Sequence, residues 1–139
     1  MRSTIEARAK TLGVQGTVRF LGWRRDLKNV MSAFDLFAIT SVEDVFAQSP
    51  LEPMAMGIPV VAFAAGSMSN WVEHGVTGLL TAPGDIKALR DAVVSLIDHD
   101  TTRKRMGEAA QLRCKEHFDI TLAARKIQDF YESLIANTR

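Results

Sequence analysis

The stretch that decides the fold is Ser41-Val-Glu-Asp-Val-Phe-Ala-Gln-Ser-Pro-Leu-Glu-Pro-Met-Ala-Met-Gly-Ile-Pro-Val-Val61. Its pattern predicts a loop, a short helix and a buried strand. Ser49 and Glu52 have the Ser-x-x-Glu spacing of a capping box, and Pro50 suits the first helical position because its missing N–H is not needed there. Gly57 is predicted to end the helix, and residues 59–63 continue as an apolar strand. A helix that begins in this way directs several backbone N–H groups at the preceding loop, which favours a phosphate site there.

Strands and helices alternate on both sides of this stretch. The predicted strands are 17–21, 36–40, 59–63 and 79–81. The predicted helices, besides the one that begins at Ser49, are 3–12, 27–33, 70–74, 86–97, 101–116 and an amphipathic helix from Ile120 to Leu134. This alternation predicts an α/β fold, a Rossmann-like parallel sheet of about four strands with helices on both faces. The length favours a single domain, 1–139, and the continuous apolar character of strand 36–40 predicts burial on both its faces.

Three loops are predicted to meet at one edge of this sheet. Ligands of open parallel sheets bind beyond the carboxyl ends of the strands. Gly22, Asp44 and Gly66 each come shortly after a predicted strand. We therefore expect their loops to face one crevice.

Charge, apolar runs and cysteine and histidine content argue against several classes of protein. A net charge of +1 gives no argument for binding nucleic acid or an anionic membrane. The N-terminus lacks the apolar core of a signal peptide, and the longest apolar run, Ile58 to Ala65, is too short for a transmembrane segment. Cys114 is the single cysteine, so we expect no disulfide framework. We therefore expect a cytoplasmic location, where thiols stay reduced. The histidines have no ligand spacing, so no metal site is expected.

The 41–61 stretch resembles the donor-site signature of the retaining, GT-B-fold glycosyltransferases of group 1 (family four). That signature is an acidic residue, seven spacers and Glu-Ala-Met-Ala-x-Gly-x-Pro-Val-Val. Asp44 holds the first acidic place, Val45 to Leu51 are the spacers, and Glu52 to Val61 form the second half. Three flanking runs also resemble family motifs: Val18-Arg-Phe-Leu-Gly22, Ala33-Phe-Asp-Leu-Phe37 and Val72-Glu-His-Gly-Val-Thr-Gly-Leu-Leu80. The resemblance covers roughly residues 3 to 135.

The resemblance implies a role for each part of the signature. The chain is similar to the C-terminal, nucleotide-sugar-binding domain of such an enzyme, which uses neither a metal nor a resident cofactor. Glu52 would bind the ribose hydroxyls of the donor, and Asp44 would contact the transferred sugar as the catalytic carboxylate. The remaining residues expected to bind the donor are Val45, Phe46, Ala47, Gln48, Ser49, Leu51, Gly22, Trp23, Arg24, Gly66 and Asn70.

Several residues depart from the family pattern, and each leaves an alternative open. Asp44 replaces the family's glutamate, and a solvated loop carboxylate is the alternative. Pro53 replaces an alanine; with Ser49 as the cap it would remove a helical hydrogen bond, loosening the first turn or moving the helix start. Asn70 stands where relatives have an acidic residue. Glu52 could serve only its own capping box, and the spacers lack the glycines that let a backbone close on a diphosphate.

The first domain of a GT-B enzyme and the first strand of the second are not in this sequence. We therefore expect the donor-binding part of a retaining glycosyltransferase, inactive by itself, whose partner is a missing N-terminal glycosyltransferase domain or a second copy of the chain. One alternative is a non-catalytic, Rossmann-like interaction module derived from a glycosyltransferase. Another is the related epimerase group. The base, the sugar and the acceptor stay open.

Overall fold

A computed structural model gives the structure of residues 2–43 and 46–136. The chain divides into two compact units, one up to Val30 and one from Met31 onward. In the first unit, α1 spans Arg2–Thr11, close to the predicted helix 3–12. A second helix, α2, spans Leu27–Met31 at the boundary.

The strand predicted at 17–21 is wrong, because these residues form a turn and an irregular segment. The N–H groups of Thr17 and Val18 both donate to the carbonyl oxygen of Val14 at 3.0 Å. A strand is stable only when a neighbouring strand accepts its backbone hydrogen bonds. Within the described residues no strand pairs with this segment, so its apolar alternation has nothing to pair with.

The second unit carries a three-stranded parallel sheet of order β1-β2-β3. Phe37 pairs with Val60, and Val60 with Gly78. The α/β class and the parallel pairing are confirmed, with three strands instead of about four. The elements are β1 (Phe37–Ile39), α3 (Leu51–Ala55), β2 (Val60–Phe63), α4 (Met68–Trp71), β3 (Gly78–Thr81), α5 (Ile86–Asp98), α6 (Asp100–His117) and α7 (Ile120–Ala136).

Helices cover both faces of the sheet, as predicted. Val60 and Ala62 of β2 pack on one side, together with Met54 of α3, Met68 of α4 and Ala110 of α6. On the other side, Val61 and Phe63 pack against Leu89 and Leu96 of α5. All of β2 is buried because alternate side chains of a central strand enter opposite layers of the core.

Strand β1 corrects another expectation, burial on both faces. Ile39 is buried, Phe37 is half-buried and Ala38 is exposed. β1 lies at one end of the strand order, and only one of its faces is covered by the described helices. An apolar run is therefore not enough to predict two-sided burial for an edge strand.

The local signals for helix ends are confirmed at two places. Gly57 has a φ of +76°, and the N–H groups of Gly57 and Ile58 donate to the carbonyls of Met54 and Pro53, which is the Schellman arrangement. Asp85 caps α5 by accepting a hydrogen bond from the N–H of Ala88 at 2.9 Å.

The last helix, α7, is amphipathic as predicted, but none of its residues is buried. Ile127 is 56% exposed, and Phe130 and Tyr131 are both 60% exposed. Among the described residues, no helix combines the length and apolar character needed to cross a membrane.

Candidate functional site

The candidate site lies at the carboxyl edge of the sheet. Because β1 and β2 are parallel neighbours, the segment that follows Ile39 and the segment that follows Phe63 leave the sheet at the same edge. The first segment leads into α3 and the second contains Gly66, so two of the three expected loops follow adjacent strands. Gly22 belongs to the first unit, and Asp44 and Val45 lie outside the described residues.

The capping box predicted at the start of α3 is wrong. The helix begins at Leu51 with Pro50 as the N-cap residue, and no side chain caps it. Ser49 lies in a turn, where the N–H of Leu51 donates to the carbonyl of Gln48 at 3.0 Å. The carbonyl of Pro50, not that of Ser49, accepts the first intrahelical hydrogen bond, from the N–H of Met54 at 3.1 Å, so the cap position lies one residue past Ser49. Glu52 is consequently not held in a capping box, and its side chain is exposed.

The same geometry corrects the expectation of several phosphate-binding N–H groups. Pro53 is the third helical residue, where no intrahelical donor is needed, so it neither loosens the turn nor shifts the helix start. Pro50 and Pro53 have no N–H, and that of Leu51 is used by Gln48. Within the described part of the chain, the first turn of α3 leaves only the N–H of Glu52 for a ligand.

Glu52 borders a cleft of about 360 Å³ between α3 and the end of α6. Gln111 closes one side by donating from Nε2 to the carbonyl oxygen of Ala55 at 3.1 Å. The cleft holds both charge signs, since Lys115 lies in it with Glu52 and Asp119. Its lining residues are Leu51, Glu52, Ala55, Gln111, Cys114, Lys115, Phe118 and Asp119.

Of the residues predicted to bind a donor, Leu51 and Glu52 line this cleft. The contributions of α6 were missed, although 111, 114, 115 and 118 follow the helical spacing that places side chains on one face. Cys114 is buried, and burial raises the pKa of its thiol, which agrees with the small core residue that a lone cysteine indicates.

The other predicted spacer residues differ in exposure. Phe46, Gln48 and Ser49 are exposed, whereas Ala47 is buried in the core with Met54. Phe46 meets the ring of Trp71 edge-on, with 5.4 Å between ring centroids. Phe46 thereby links the segment before α3 to α4.

The segment after β2 is tied to α6 by Arg113. Its Nε donates to the carbonyl oxygen of Trp71 at 3.0 Å, and its Nη2 to that of Asn70 at 3.1 Å. Its Nη1 lies 3.6 Å from a carboxylate oxygen of Glu73. Gly66 and the side chain of Asn70 remain exposed.

In the first unit, Gly22, Trp23 and Arg24, which were expected to bind the donor, do not share one surface feature. The resemblance implies contact with the nucleotide base for this part of the chain. Gly22 lines a groove of about 420 Å³ with Arg2 and Arg19, and neither Trp23 nor Arg24 contributes to it. Trp23 is 80% exposed, and the Arg25 guanidinium lies 5.3 Å from its ring centroid.

Arg24 is engaged within its own loop. It binds Asp26 through Nε at 2.8 Å and Nη2 at 2.5 Å. The hydrogen bond and the charge of Asp26 raise the pKa of Arg24, and the same hydrogen bond lowers the pKa of the Asp26 carboxyl. Binding a base through Arg24 would require this pair to rearrange. As for metals, residues 2–43 and 46–136 contain no group of three or more His, Cys, Asp or Glu side chains that could hold an ion.

Comparison with known proteins places this geometry in a family. Residues 1–113 match the model of "Glycosyl transferases group 1". The chain is 36% identical over 131 residues to a D-inositol 3-phosphate glycosyltransferase of Corynebacterium glutamicum, which covers 93% of this chain and 31% of the relative. It is 35% identical over 136 residues to the lipopolysaccharide core biosynthesis mannosyltransferase LpsB of Rhizobium meliloti, covering 96% of this chain and 38% of the relative.

Solved structures agree. Crystal structures of Anabaena Alr3699/HepE in complex with UDP and with UDP-glucose superpose with TM-scores of 0.89 and 0.86 at 32% identity, covering 94% of this chain and 36% of that protein. The chain therefore spans about a third of the length of the relatives that it matches. With its GT-B-type α/β fold and its match to the family model, the chain belongs to the group 1 glycosyltransferases.

Proposed function

We propose that this chain binds the nucleotide-diphosphate-sugar donor of a retaining glycosyltransferase. The observation that carries the proposal is Glu52, an exposed carboxylate outside any capping box at the start of α3, in the signature place for the ribose ligand. A carboxylate accepts two hydrogen bonds from a vicinal diol, which is the chemistry that ribose recognition needs. The complexes of HepE with UDP and UDP-glucose support the same class of ligand.

Helix α3 offers few backbone N–H groups to the diphosphate of the donor. With a single N–H left in its first turn, the helix supplies little of the dipole binding that phosphate sites use. We propose that the N–H groups of Gln48 and Ser49 contribute, together with a cation. The candidate cation is Lys115, which lines the same cleft as Glu52.

The proposed reaction needs a partner domain. The bond between the anomeric carbon and the diphosphate oxygen breaks, and a bond to an acceptor hydroxyl oxygen forms on the same face of the sugar. The hydroxyl proton passes to the departing diphosphate oxygen, so the nucleoside diphosphate is the leaving group. Asp44 would contact the transferred sugar, with neither metal nor resident cofactor. The relatives are about three times longer than this chain, so we propose that the acceptor side belongs to an N-terminal domain of such an enzyme, and that the isolated chain binds donor in the cytoplasm without transferring sugar.

Calorimetric titration of the chain with UDP, GDP and ADP tests the proposal. Saturable binding of one nucleoside diphosphate, with weaker binding of the others, would support it. A second assay mixes the chain with the matching nucleotide sugars and measures release of the diphosphate. Turnover in that assay would contradict the inactivity of the isolated chain, and no binding of any nucleotide would contradict the donor site.

A specific observation favours a second candidate, a non-catalytic interaction module. Pro50 and Pro53 together remove two N–H groups from the first turn of α3, and Asn70 brings no charge. These are changes expected where selection for phosphate binding is gone. In the titration this candidate predicts no heat with any of the three nucleotides.

A further inference from the structure

We infer that Arg113 is a positioning residue that fixes both segments of the proposed donor site at the carboxyl edge of the sheet. The inference rests on the proposed function, and it adds a residue outside the 41–61 signature. The side chain of Arg113 is 26% exposed and lies on α6, at least 40 residues along the chain from the groups with which it forms hydrogen bonds and an ion pair. These polar contacts all lead to the segment that follows β2.

The first step concerns α4, which cannot be stable by itself. Met68–Trp71 is a helix of four residues, a single turn, and one turn does not offset the cost of helix nucleation. Its last carbonyl groups have no partner within the helix. Arg113 supplies that partner, because Nε and Nη2 donate to the carbonyls of Trp71 and Asn70 at 3.0 and 3.1 Å.

The positive charge of Arg113 is favourable at its position beside the carboxyl end of α4. A cation at the carboxyl end of a helix interacts favourably with the helix dipole, and hydrogen bonds from a guanidinium are stronger than neutral ones. Glu73 adds an ion pair at 3.6 Å just after α4. The planar fork of arginine presents separate N–H groups to two adjacent carbonyls in a fixed geometry, whereas lysine presents its three N–H donors from a single nitrogen.

The second step connects Arg113 to the segment before α3. The ring of Trp71 lies between Phe46 and Phe118, with centroid distances of 5.4 and 5.1 Å, and both contacts are edge-on. The guanidinium of Arg113 lies 5.6 Å from the Phe118 ring centroid. By fixing the main chain of Trp71, Arg113 also fixes the ring that Phe46 packs on.

Two segments that carry predicted donor residues therefore meet at one anchored tryptophan. Phe46 belongs to the spacers of the signature, and Asn70 is one residue before Trp71. Loss of the anchor should loosen the main chain at Asn70 and Trp71 and the ring contact with Phe46, while Met68 and Val72 stay packed under β2, because Arg113 itself is not part of the buried clusters.

The test compares three variants of the full chain, Arg113→Met, Arg113→Lys and Arg105→Met. Arg105 is an exposed arginine two turns earlier on the same helix and serves as the matched control. Hydrogen exchange of residues 68–73 measures the anchor. The affinity for UDP, titrated well below the melting temperature of each variant, measures the positioning. A fluorine resonance from 5-fluorotryptophan at Trp71, assigned by its loss in Trp71→Phe, reports the ring environment.

We expect Arg113→Met to speed exchange in 68–73 by about tenfold, to weaken UDP binding by about tenfold and to shift the Trp71 resonance. Arg113→Lys should fall between Arg113→Met and the parent chain, and it keeps the test decisive should Arg113→Met fail to fold. Arg105→Met should match the parent chain in all three readouts.

The failures are distinguishable. Unchanged UDP affinity in both Arg113 variants, with a parent chain that binds UDP, would overturn the positioning role and leave the proposed function standing. Unchanged exchange in 68–73 would overturn the anchor itself. A parent chain that binds no nucleotide would overturn the proposed function and the positioning role together.

Discussion

Gly107 of α6 lies so close to Gly57 that a Cβ built on Gly107 would be 2.0 Å from the Gly57 carbonyl oxygen. Side-chain carbons essentially never come within 3.0 Å of such an atom, so no other residue fits at 107 without moving α6. Gly57 ends α3 with a φ of +76°, and its carbonyl then faces α6. Gly57 therefore ends the helix that carries Glu52, and Gly107 lets α6 approach that end.

We predict that Gly107→Ala lowers the free energy of unfolding by about 2 kcal/mol, because the cost of displacing α6 exceeds the gain in helix propensity. Urea denaturation followed by circular dichroism measures the change. Gly16→Ala is the matched control, since a Cβ at Gly16 meets nothing within 4 Å. It should stay within about 0.5 kcal/mol of the parent chain. Equal stability of the two variants would contradict the close approach.

The parts of the fold that were predictable are those set by neighbours in sequence. The stop at Gly57, the cap at Asp85 and the buried strand β2 all depend on residues within one or two turns. The segment 17–21 has an equally good strand pattern but no partner among the described strands. A strand forms only beside another strand that accepts its backbone hydrogen bonds, so the sequence pattern of 17–21 was not enough to predict one.

The candidate site was also predictable only in part. The helix at α3 was predictable, but the failed capping box depended on which carbonyl accepts the first intrahelical hydrogen bond, and the sequence pattern does not determine that. Arg113 and Lys115 were missed because their partners are distant in sequence; the hydrogen bond from Arg113 to Trp71 spans 42 residues. Contacts of that separation have no local signature.

Glu52→Ala should weaken nucleotide binding if the ribose diol is its ligand. We expect at least a tenfold loss of affinity for UDP, since two hydrogen bonds to a carboxylate disappear. Calorimetry measures the affinity, and Glu108→Ala, a change of an exposed glutamate on α6, is the control. A 2′-deoxy nucleotide should lose affinity for the parent chain but not for Glu52→Ala. Full binding by Glu52→Ala would contradict the ribose assignment.

Asp85→Ala should lower the free energy of unfolding by about 1 kcal/mol, because the first turn of α5 loses its side-chain cap. The carboxylate accepts from the N–H of Ala88 at 2.9 Å. Asp85→Asn keeps an acceptor at the same place and should recover most of the loss. Thermal denaturation of the three chains measures the order of stability, and an Asn variant no better than Ala would argue against the cap.

The start of α7 should loosen at acidic pH. Asp119 accepts hydrogen bonds from the hydroxyl of Thr121 and from its N–H, the latter at 2.7 Å, and these bonds hold the pKa of the Asp119 carboxyl below its ordinary value. A carboxyl with a lowered folded pKa stabilises the fold above its unfolded pKa of about 4, and this stability is lost as the pH falls through the folded value.

Amide protection factors of residues 121–123 between neutral pH and pH 3 measure the effect. We expect them to fall in the parent chain below about pH 4. In Asp119→Asn, which does not titrate, the protection factors should be independent of pH. A fall of the same size in that variant would assign the loosening to another group.

The exposed apolar face of α7 should make the isolated chain associate with a second copy. Ile127 and Tyr131 lie one turn apart on this face and are 56% and 60% exposed in one copy. Packing the apolar faces of two α7 helices against each other would bury both side chains.

Sedimentation equilibrium of the 15.3 kDa chain should show a concentration-dependent approach to twice that mass. Ile127→Asp should abolish it, because a buried dimer position would receive an unpaired charge. Asp129→Asn, on the opposite side of the helix from Ile127, is the control and should leave the dimer intact. A chain that stays monomeric at every concentration would contradict self-association and leave this face to a domain outside the chain.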